Sequence, residues 1–165
     1  MKSSDKMSIA EEVVELLKER KYYVSTVESC TGGLLASALV DVSGASSVFE
    51  KGFITYSDRA KIQLVGVDNK IIEKYGVVSV EVARQMACCG RNTAHTSCAM
   101  ATTGVAGPTG GTKETPVGTV CIAVVVNNYV KSEKYIFEGN RAAIRAQAVE
   151  KALIMLKDGL INEKN

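Results

Sequence analysis

Apolar and polar residues follow two different periods along the chain, and each period predicts one kind of element. Short runs of apolar and β-branched residues predict five strands, at residues 22–28, 48–57, 97–104, 119–127 and 129–137. Apolar residues at helical spacing predict six helices, at residues 11–21, 34–42, 58–66, 68–76, 81–95 and 141–160. Ser8 and Glu11 stand in capping-box spacing before the first helix, and Ser57 and Ser79 can cap two others.

The order of these elements predicts the fold class. Helices and strands alternate early in the chain, and Asn127-Asn128 forms a plausible tight turn between the last two strands. We therefore expect an α/β fold, a three-layer α/β/α sandwich with a mixed, mainly parallel sheet and a C-terminal hairpin and helix. A length of 165 residues predicts one domain over residues 1–165, and a hydrophobic content of 46% is enough to bury a core.

Charge and composition exclude several classes of protein. The chain has 20 basic and 18 acidic residues, a net charge of +2, no Trp and no patch that interleaves basic and aromatic residues. This balance argues against a surface built to hold nucleic acid or anionic lipid. The N-terminus lacks a signal-peptide pattern, and no apolar run reaches the roughly 20 residues that cross a bilayer. We expect a cytoplasmic protein without nucleic-acid or membrane partners.

Cysteine and histidine content bears on metal and redox chemistry. Five Cys without C-x-x-C spacing do not form a disulfide framework or a zinc site, and they are typical of small buried thiols. One His and no clustered carboxylates do not make a hydrolytic metal centre, so no metal and no cofactor are expected.

The stretch TVESCTGGLLASALV, residues 26–40, places small polar residues at a strand-to-helix turn. Ser29 lies at the carboxyl end of the first strand, where sites form in open α/β sheets. Gly32 and Gly33 would let the backbone approach a ligand, and the free N–H groups of the next helix can hold an anion or an oxyanion. A tight turn that needs small residues only for packing explains the stretch equally well.

A serine nucleophile needs a base, and the sequence offers two kinds. His95, the one histidine, ends a predicted helix, where an ordinary structural role is common. Lys61 can act as base if burial lowers its pKa, and it follows Tyr56 and Ser57 from the second strand. On spacing alone, a solvated position on a helix is the favoured interpretation of Lys61.

Two further features predict anion binding. The connection over residues 104–118 is rich in glycine, and such loops can form nests of N–H groups, although this one lacks the Walker A pattern and also fits a flexible connection. Arg141 and Arg145 lie one turn apart near the start of the last helix, where they can clamp a phosphate or form a solvated basic face.

Four blocks occur in an order that resembles a known family: ESCTGG (28–33), GFITYSDRAK (52–61), TTGVAGPTGGTKETPVGTV (102–120) and GNRAAIRAQA (139–148). Together they resemble the CinA C-terminal-domain family, which includes stand-alone nicotinamide mononucleotide amidohydrolases. The resemblance runs from about residue 8 to about residue 159. It implies an α/β/α sandwich, usually a homo-oligomer, that hydrolyses the carboxamide of nicotinamide mononucleotide to nicotinate mononucleotide and ammonia without a metal, in pyridine nucleotide recycling.

The resemblance also implies roles for residues. Ser29 would be the nucleophile, activated by Tyr56 and Lys61. The predicted substrate-binding residues are those of the turn, the glycine loop and the last helix: Thr31, Gly32, Gly33, Thr103, Gly104, Gly107, Gly110, Gly111, Arg141 and Arg145. Asn140 stands where the family has Asp, and affinity would be weaker here if that carboxylate orients an arginine or binds ribose.

Three other functions remain open at the level of sequence. The chain can be a nucleotide-binding module that acts with a partner domain and has no catalysis of its own. It can hydrolyse a different amide. Cys30, beside Ser29, can be the nucleophile instead.

Overall fold

The structure is a computed structural model, and it describes residues 6–163. The helices are α1 (Ile9–Arg20), α2 (Leu34–Val40), α3 (Asp58–Ala60), α4 (Asn69–Tyr75), α5 (Val80–Ala94) and α6 (Arg141–Asn162). The strands are β1 (Val24–Glu28), β2 (Phe49–Ile54), β3 (Cys98–Gly104), β4 (Thr119–Val126) and β5 (Tyr129–Ile136). A short 3-10 turn, Ala45–Ser47, precedes β2, and a π-helical turn, Lys61–Val65, continues α3. These elements match the predicted ones to within a few residues.

Five strands form one mixed sheet in the order β2-β1-β3-β4-β5. β1 pairs in parallel with β2 and β3, whereas β4 pairs antiparallel with β3 and with β5. Four strands therefore run in one direction and β4 runs against them. The predicted mixed sheet with its C-terminal hairpin and helix is confirmed. The carboxyl ends of β1, β2 and β3 lie at one edge of the sheet, where the site is expected.

Helices cover both faces of the sheet, which confirms the three-layer sandwich. On one face, α1, α2 and α6 pack on alternate residues of β1, β3 and β4, such as Val24, Met100 and Val124. On the other face, α4, α5 and the π-helical turn pack on the residues between them, such as Val27 and Ala123. β1 and β4 are buried along their whole length because both of their faces are covered.

Local signals in the sequence fix the helix ends. The Ser8 hydroxyl accepts a hydrogen bond from Glu11 N, and the Glu11 carboxylate accepts one from Ser8 N, so the predicted capping box is formed. Ser57 and Ser79 cap α3 and α5, as predicted. Within residues 6–163, no helix combines the length and the apolar character needed to cross a membrane.

The contact between α5 and β1 yields a test of the packing. Gly90 on α5 lies so close to β1 that an added Cβ would stand 2.2 Å from Val27 Cγ2. Alanine favours a helix over glycine by about 1 kcal/mol, but overpacking a core costs roughly 1–3 kcal/mol. We expect Gly90→Ala to lower the free energy of unfolding by about 1–2 kcal/mol in urea titrations.

Two further variants make that result specific. Gly90→Ala should lower stability less in a Val27→Ala background than in the parent protein, because the Val27 Cγ2 atom that it would meet is then absent. Arg84→Ala, on the exposed side of the same helix, should change stability by less than about 0.5 kcal/mol. A Gly90→Ala variant as stable as the parent protein would contradict the packing described here.

Candidate active site

Ser29 follows the last residue of β1 and lies at the carboxyl edge of the sheet. Its N–H donates to Thr102 O at 3.0 Å, which continues the pairing of β1 with β3 by one residue. Because side chains alternate along a strand, Ser29 shares a face with Val27 and faces the α5 side. Its side chain is 8% exposed, so a small molecule in the adjacent cavity can reach it.

Lys61 reaches Ser29 from the neighbouring strand. After β2 the Ser57 hydroxyl caps α3, and the helix widens into the π-helical turn that begins at Lys61. The Lys61 amine lies 3.2 Å from Ser29 Oγ, and it donates a hydrogen bond to Thr55 O at 2.8 Å. Thr55 is itself fixed to the end of β1, because its N–H donates to Glu28 O. The serine and the amine that the sequence singled out are therefore within proton-transfer distance.

Burial sets the protonation of Lys61. The side chain is 1% exposed, and desolvation lowers its pKa below the usual 10.5, while the charges of Asp58 and Cys30 act in the opposite direction. A lower pKa increases the fraction of neutral amine, which is the form that can accept a proton from a hydroxyl. The alternative that Lys61 is a solvated helix lysine is wrong.

Glu28 points to the opposite face and anchors α2. Its carboxylate accepts hydrogen bonds from Leu35 N at 2.7 Å, Ala36 N at 3.1 Å and the Thr31 hydroxyl at 2.6 Å. A carboxylate at a helix N-terminus also interacts favourably with the helix dipole. The N–H groups that the sequence analysis offered to an anion are thus already bound by the protein's own carboxylate. Thr31 is fully buried and holds Glu28 and Thr102 in place.

The turn between β1 and α2 is held from behind by Arg145. Its guanidinium donates to Cys30 O at 2.9 Å and to Thr31 O at 3.0 Å. Gly32 adopts φ +55°, and a Cβ there would stand 3.3 Å from Arg145 Nη2, so glycine suits both the backbone and this contact. Gly33, at φ +106°, begins α2. These three residues build the turn from outside the cavity, and Arg145 supports the turn.

A cavity of about 530 Å³ opens beside Ser29 and Lys61. This volume is in the range of sites that hold small molecules. The lining residues come from the ends of β1 and β3, the segment after β2, the link between α4 and α5, the glycine loop and α6: Ser29, Cys30, Tyr56, Asp58, Lys61, Tyr75, Gly76, Val77, Val78, Thr103, Gly104, Val105, Ala106, Gly107, Thr109, Gly110, Thr112, Thr115 and Arg141.

Tyr56 and Arg141 form a pair at the cavity. Arg141 Nη2 donates to the Tyr56 hydroxyl at 3.1 Å, and Arg141 Nη1 donates to Gly107 O at 2.8 Å. Tyr56 is 61% exposed, and no hydrogen bond in the described part of the chain joins it to Ser29 or Lys61. Two of the five N–H donors of Arg141 are used by these bonds, so three are left for a ligand.

The glycine loop lies across the cavity from Ser29. Gly104, Gly107 and Gly110 line the cavity, whereas Gly111 packs against Val117, where a Cβ would stand 2.7 Å from the backbone nitrogen. The N–H groups of Ala106, Gly107 and Gly110 have no acceptor among residues 6–163. Such free N–H groups suit an anionic or carbonyl oxygen.

The link between α4 and α5 supplies Tyr75, Gly76, Val77 and Val78 to the cavity, and no pattern in the sequence predicted this. Thr103 ties this link to the sheet, because its hydroxyl donates to Val77 O at 2.9 Å. The one available signal was Gly76, which was predicted to close α4 and does so at φ +81°. Asp58, three residues before Lys61, was also not predicted as a site residue, although it lies within the block GFITYSDRAK.

Position and burial bear on the two other candidates, His95 as the base and Cys30 as the nucleophile. His95 ends α5 just before β3, at the amino ends of the parallel strands, so it lies a full strand length from Ser29 and cannot be its base. Burial raises the pKa of the Cys30 thiol to about 11, which disfavours the thiolate that a cysteine nucleophile needs.

Asn140 caps α6, since its side-chain oxygen accepts a hydrogen bond from Ala143 N at 2.9 Å. Asn serves in this role as well as Asp. Residues 6–163 contain no group of three or more His, Cys, Asp or Glu side chains placed for a metal ion.

The fold and the site together define a class: an α/β protein with a buried serine–lysine pair at the carboxyl edge of a mixed sheet. The chain belongs to the CinA C-terminal domain family, whose model matches residues 6–160. This match confirms the resemblance stated from the four sequence blocks.

Individual relatives agree with this assignment. A competence-damage inducible protein of Caldicellulosiruptor saccharolyticus is 45% identical over 96% of this chain, and a CinA-like protein of Fervidobacterium nodosum is 44% identical over 90%. The chain spans 38% and 36% of the length of these two proteins. Among solved structures, a CinA superfamily protein of Klebsiella pneumoniae superposes with a TM-score of 0.90 at 32% identity, covering 94% of this chain and 97% of that one. A competence/damage inducible protein of Agrobacterium tumefaciens gives 0.89 at 36% identity, covering 97% and 99%.

The hydrogen bonds of Glu28 generate a prediction. Glu28→Gln puts an amide donor where the carboxylate now accepts from backbone or hydroxyl donors, so at least one buried N–H or O–H loses its acceptor. We expect the free energy of unfolding to fall by about 1.5–3 kcal/mol, measured by urea titration. Glu50→Gln on the exposed edge strand β2 is the matched control and should change little. Equal stability of the two variants would show that Glu28 does not anchor α2.

Proposed function

We propose that the protein is a nicotinamide-nucleotide amidase that hydrolyses the carboxamide of nicotinamide mononucleotide to nicotinate mononucleotide and ammonia. The observation that carries the proposal is the distance of 3.2 Å between the Lys61 amine and the Ser29 hydroxyl in a small-molecule cavity. A neutral lysine that touches a serine is a known arrangement for activating the hydroxyl in amide hydrolysis. Such a reaction would return nicotinamide nucleotide to pyridine nucleotide synthesis.

In the first half of the reaction, Lys61 accepts the Ser29 proton while Ser29 Oγ attacks the carboxamide carbon. The tetrahedral adduct then collapses, and its C–N bond breaks. The leaving nitrogen takes the proton from Lys61 and departs as ammonia. Ser29 is left as the ester of the pyridine carboxylate, and Lys61 is neutral again.

In the second half, water takes the place of ammonia. Lys61 accepts a proton from the water, whose oxygen attacks the ester carbonyl. Collapse of this second adduct breaks the bond to Ser29 Oγ, which regains its proton from Lys61. Nicotinate mononucleotide is released, and the enzyme returns to its starting state.

Two groups of N–H donors can hold the oxyanion of each adduct. Cys30 directly follows the nucleophile, lines the cavity and has no carbonyl acceptor for its N–H in the described part of the chain. The residue after the nucleophile supplies such a donor in other serine hydrolases. The free N–H groups of the glycine loop face the same cavity and provide the second candidate. The start of α2 is not a candidate because Glu28 occupies it.

Arg141 is the proposed ligand for the phosphate of the nucleotide. It lines the cavity, keeps three donors for the ligand and is held in place by Gly107 O and the Tyr56 hydroxyl. In this arrangement Tyr56 orients the arginine and borders the substrate, and it takes no proton from Ser29. Arg145 supports the Ser29 turn instead of the phosphate.

The central test is ammonia release from nicotinamide mononucleotide by the purified protein. We expect turnover by the wild type and a fall in kcat of roughly 10⁴–10⁶-fold for Ser29→Ala, because the nucleophile is lost. Lys61→Met should lower kcat by about 10²–10⁴-fold, because the base is lost. Cys30→Ser is the control and should keep activity.

Three results, from this assay and from a binding measurement, separate the proposed function from its alternatives. Binding of the mononucleotide without ammonia release would favour a binding module that acts with a partner domain. Equal rates with nicotinamide, its riboside and its mononucleotide would indicate another amide as substrate, because only the mononucleotide carries a phosphate. Full activity of Ser29→Ala would remove the proposed mechanism.

The pKa of Lys61 predicts the pH dependence. The base acts when neutral, and burial lowers its pKa, so kcat/KM should rise with pH with a midpoint below the ordinary lysine value of 10.5. On the acidic side the rate should fall tenfold per pH unit, since the active fraction of Lys61 falls in that proportion. A profile measured from pH 6 to pH 10.5 checks this. A profile whose midpoint lies at the ordinary lysine value, or one that falls with rising pH, would contradict Lys61 as the base.

A further inference from the structure

The cavity has an uneven distribution of charge. Among the described residues that line it, Asp58 is the one carboxylate, and Lys61 and Arg141 are the two basic residues. Lys61 is held towards its neutral form by burial. The cavity therefore presents one anionic group near the serine–lysine pair and one cationic group, Arg141, that the Gly107 and Tyr56 contacts hold in place.

Asp58 lies close to the reacting groups. It is the first residue of α3, directly after the capping Ser57 and three residues before Lys61, whose backbone N–H bonds back into the same turn. Its charge raises the pKa of Lys61 against the larger effect of burial, so its field reaches the amine. No Lys, Arg or His of residues 6–163 forms a salt bridge with Asp58. Its charge is thus available to a ligand.

We propose that Asp58 recognises the positive charge of a pyridinium ring and thereby selects the oxidised, N-glycosylated form of the nicotinamide nucleotide. The inference rests on the proposed function and names the chemical feature of the substrate that the site would distinguish. In this proposal Asp58 determines which ring the site accepts, and it takes no part in making or breaking bonds.

The geometry of the substrate supports this assignment. The carboxamide must reach Ser29 and Lys61, and the ring is bonded directly to the carboxamide carbon, so the ring lies beside the serine–lysine pair. Asp58 projects from the same turn as Lys61 and lines the same cavity. The phosphate lies on the far side of the ribose, which matches the separate cationic contribution of Arg141. A zwitterionic ligand, with a cationic ring and an anionic phosphate, complements these two charges.

A second role for Asp58 must be distinguished from this one. Its charge also stabilises the protonated form of Lys61, and through that effect it can change the rate with any amide substrate. A role confined to Lys61 cannot selectively weaken binding of the cationic ring, because Asp58→Asn favours the neutral amine, which repels a cation less. The ratio of the two affinities therefore reports on recognition of the ring charge alone.

The experiment compares oxidised and reduced nicotinamide mononucleotide as ligands. The two share the carboxamide, the ribose and the phosphate, but the reduced dihydropyridine ring is neutral. Dissociation constants are measured by calorimetry on Ser29→Ala protein, which prevents turnover. The same measurement is made on Ser29→Ala combined with Asp58→Asn, with Asp58→Glu and with Glu19→Gln. Glu19 is an exposed residue of α1, on the opposite face of the sheet, and its variant changes the net charge by the same amount.

We expect the Ser29→Ala protein to bind the oxidised form about 3–5-fold more tightly than the reduced form, as for a charge pair that involves an exposed carboxylate. Asp58→Asn should reduce this preference to within about twofold, mainly by weakening binding of the oxidised form. Asp58→Glu should retain most of the preference, and Glu19→Gln should retain all of it. Circular dichroism spectra and urea midpoints equal to those of the Ser29→Ala protein show that the variants are folded.

The experiment separates failure of this inference from failure of the proposed function. If the oxidised nucleotide binds and Asp58→Asn leaves the preference unchanged, the inference is overturned while the proposed function stands. If Asp58→Asn weakens both ligands equally, Asp58 acts through the fold or through a contact common to both ligands, and the inference is again overturned. If neither nucleotide binds the Ser29→Ala protein, the proposed function fails and the inference fails with it.

Discussion

The alternation of side chains at the end of β1 is the constraint on which the site depends. Glu28 and Ser29 are neighbours, so their side chains point to opposite faces of the sheet. Glu28 binds the first N–H groups of α2 on one face, and Ser29 meets Lys61 on the other. A shift of one residue in this strand would exchange the two side chains and remove both interactions. The register of β1 therefore decides both the anchoring of α2 by Glu28 and the position of the Ser29 hydroxyl.

The second requirement is a lysine that is nearly buried without a carboxylate partner in contact. Burial disfavours the charged form of such a lysine, and a fold optimised for stability alone would avoid burying one. Here the π-helical turn and the Thr55 carbonyl hold the amine against Ser29. π-Helical turns of this kind often mark functional positions. The unfavourable burial is concentrated where a neutral amine is useful, which is typical of a functional site.

The two arginines of α6 illustrate how one helix face serves two purposes. Arg141 and Arg145 lie one turn apart, and sequence spacing gave them the same role. In the structure Arg145 donates to the carbonyls of the Ser29 turn, whereas Arg141 lies at the cavity with Tyr56 and Gly107. A rise of about 6 Å along the helix is enough to place one arginine against the turn and the other at the cavity.

The sequence by itself determined the elements, the layers and the position of Ser29, because hydrophobic period, caps such as Ser8 and glycine-rich turns are local signals. It also supplied Lys61 as one candidate base among others. Only the tertiary structure decided that Lys61 is buried against Ser29, that Glu28 occupies the start of α2, and that Asp58 and the link after α4 join the cavity. Burial and contacts between distant segments depend on how strands pair and layers stack, and no local window of sequence contains that information.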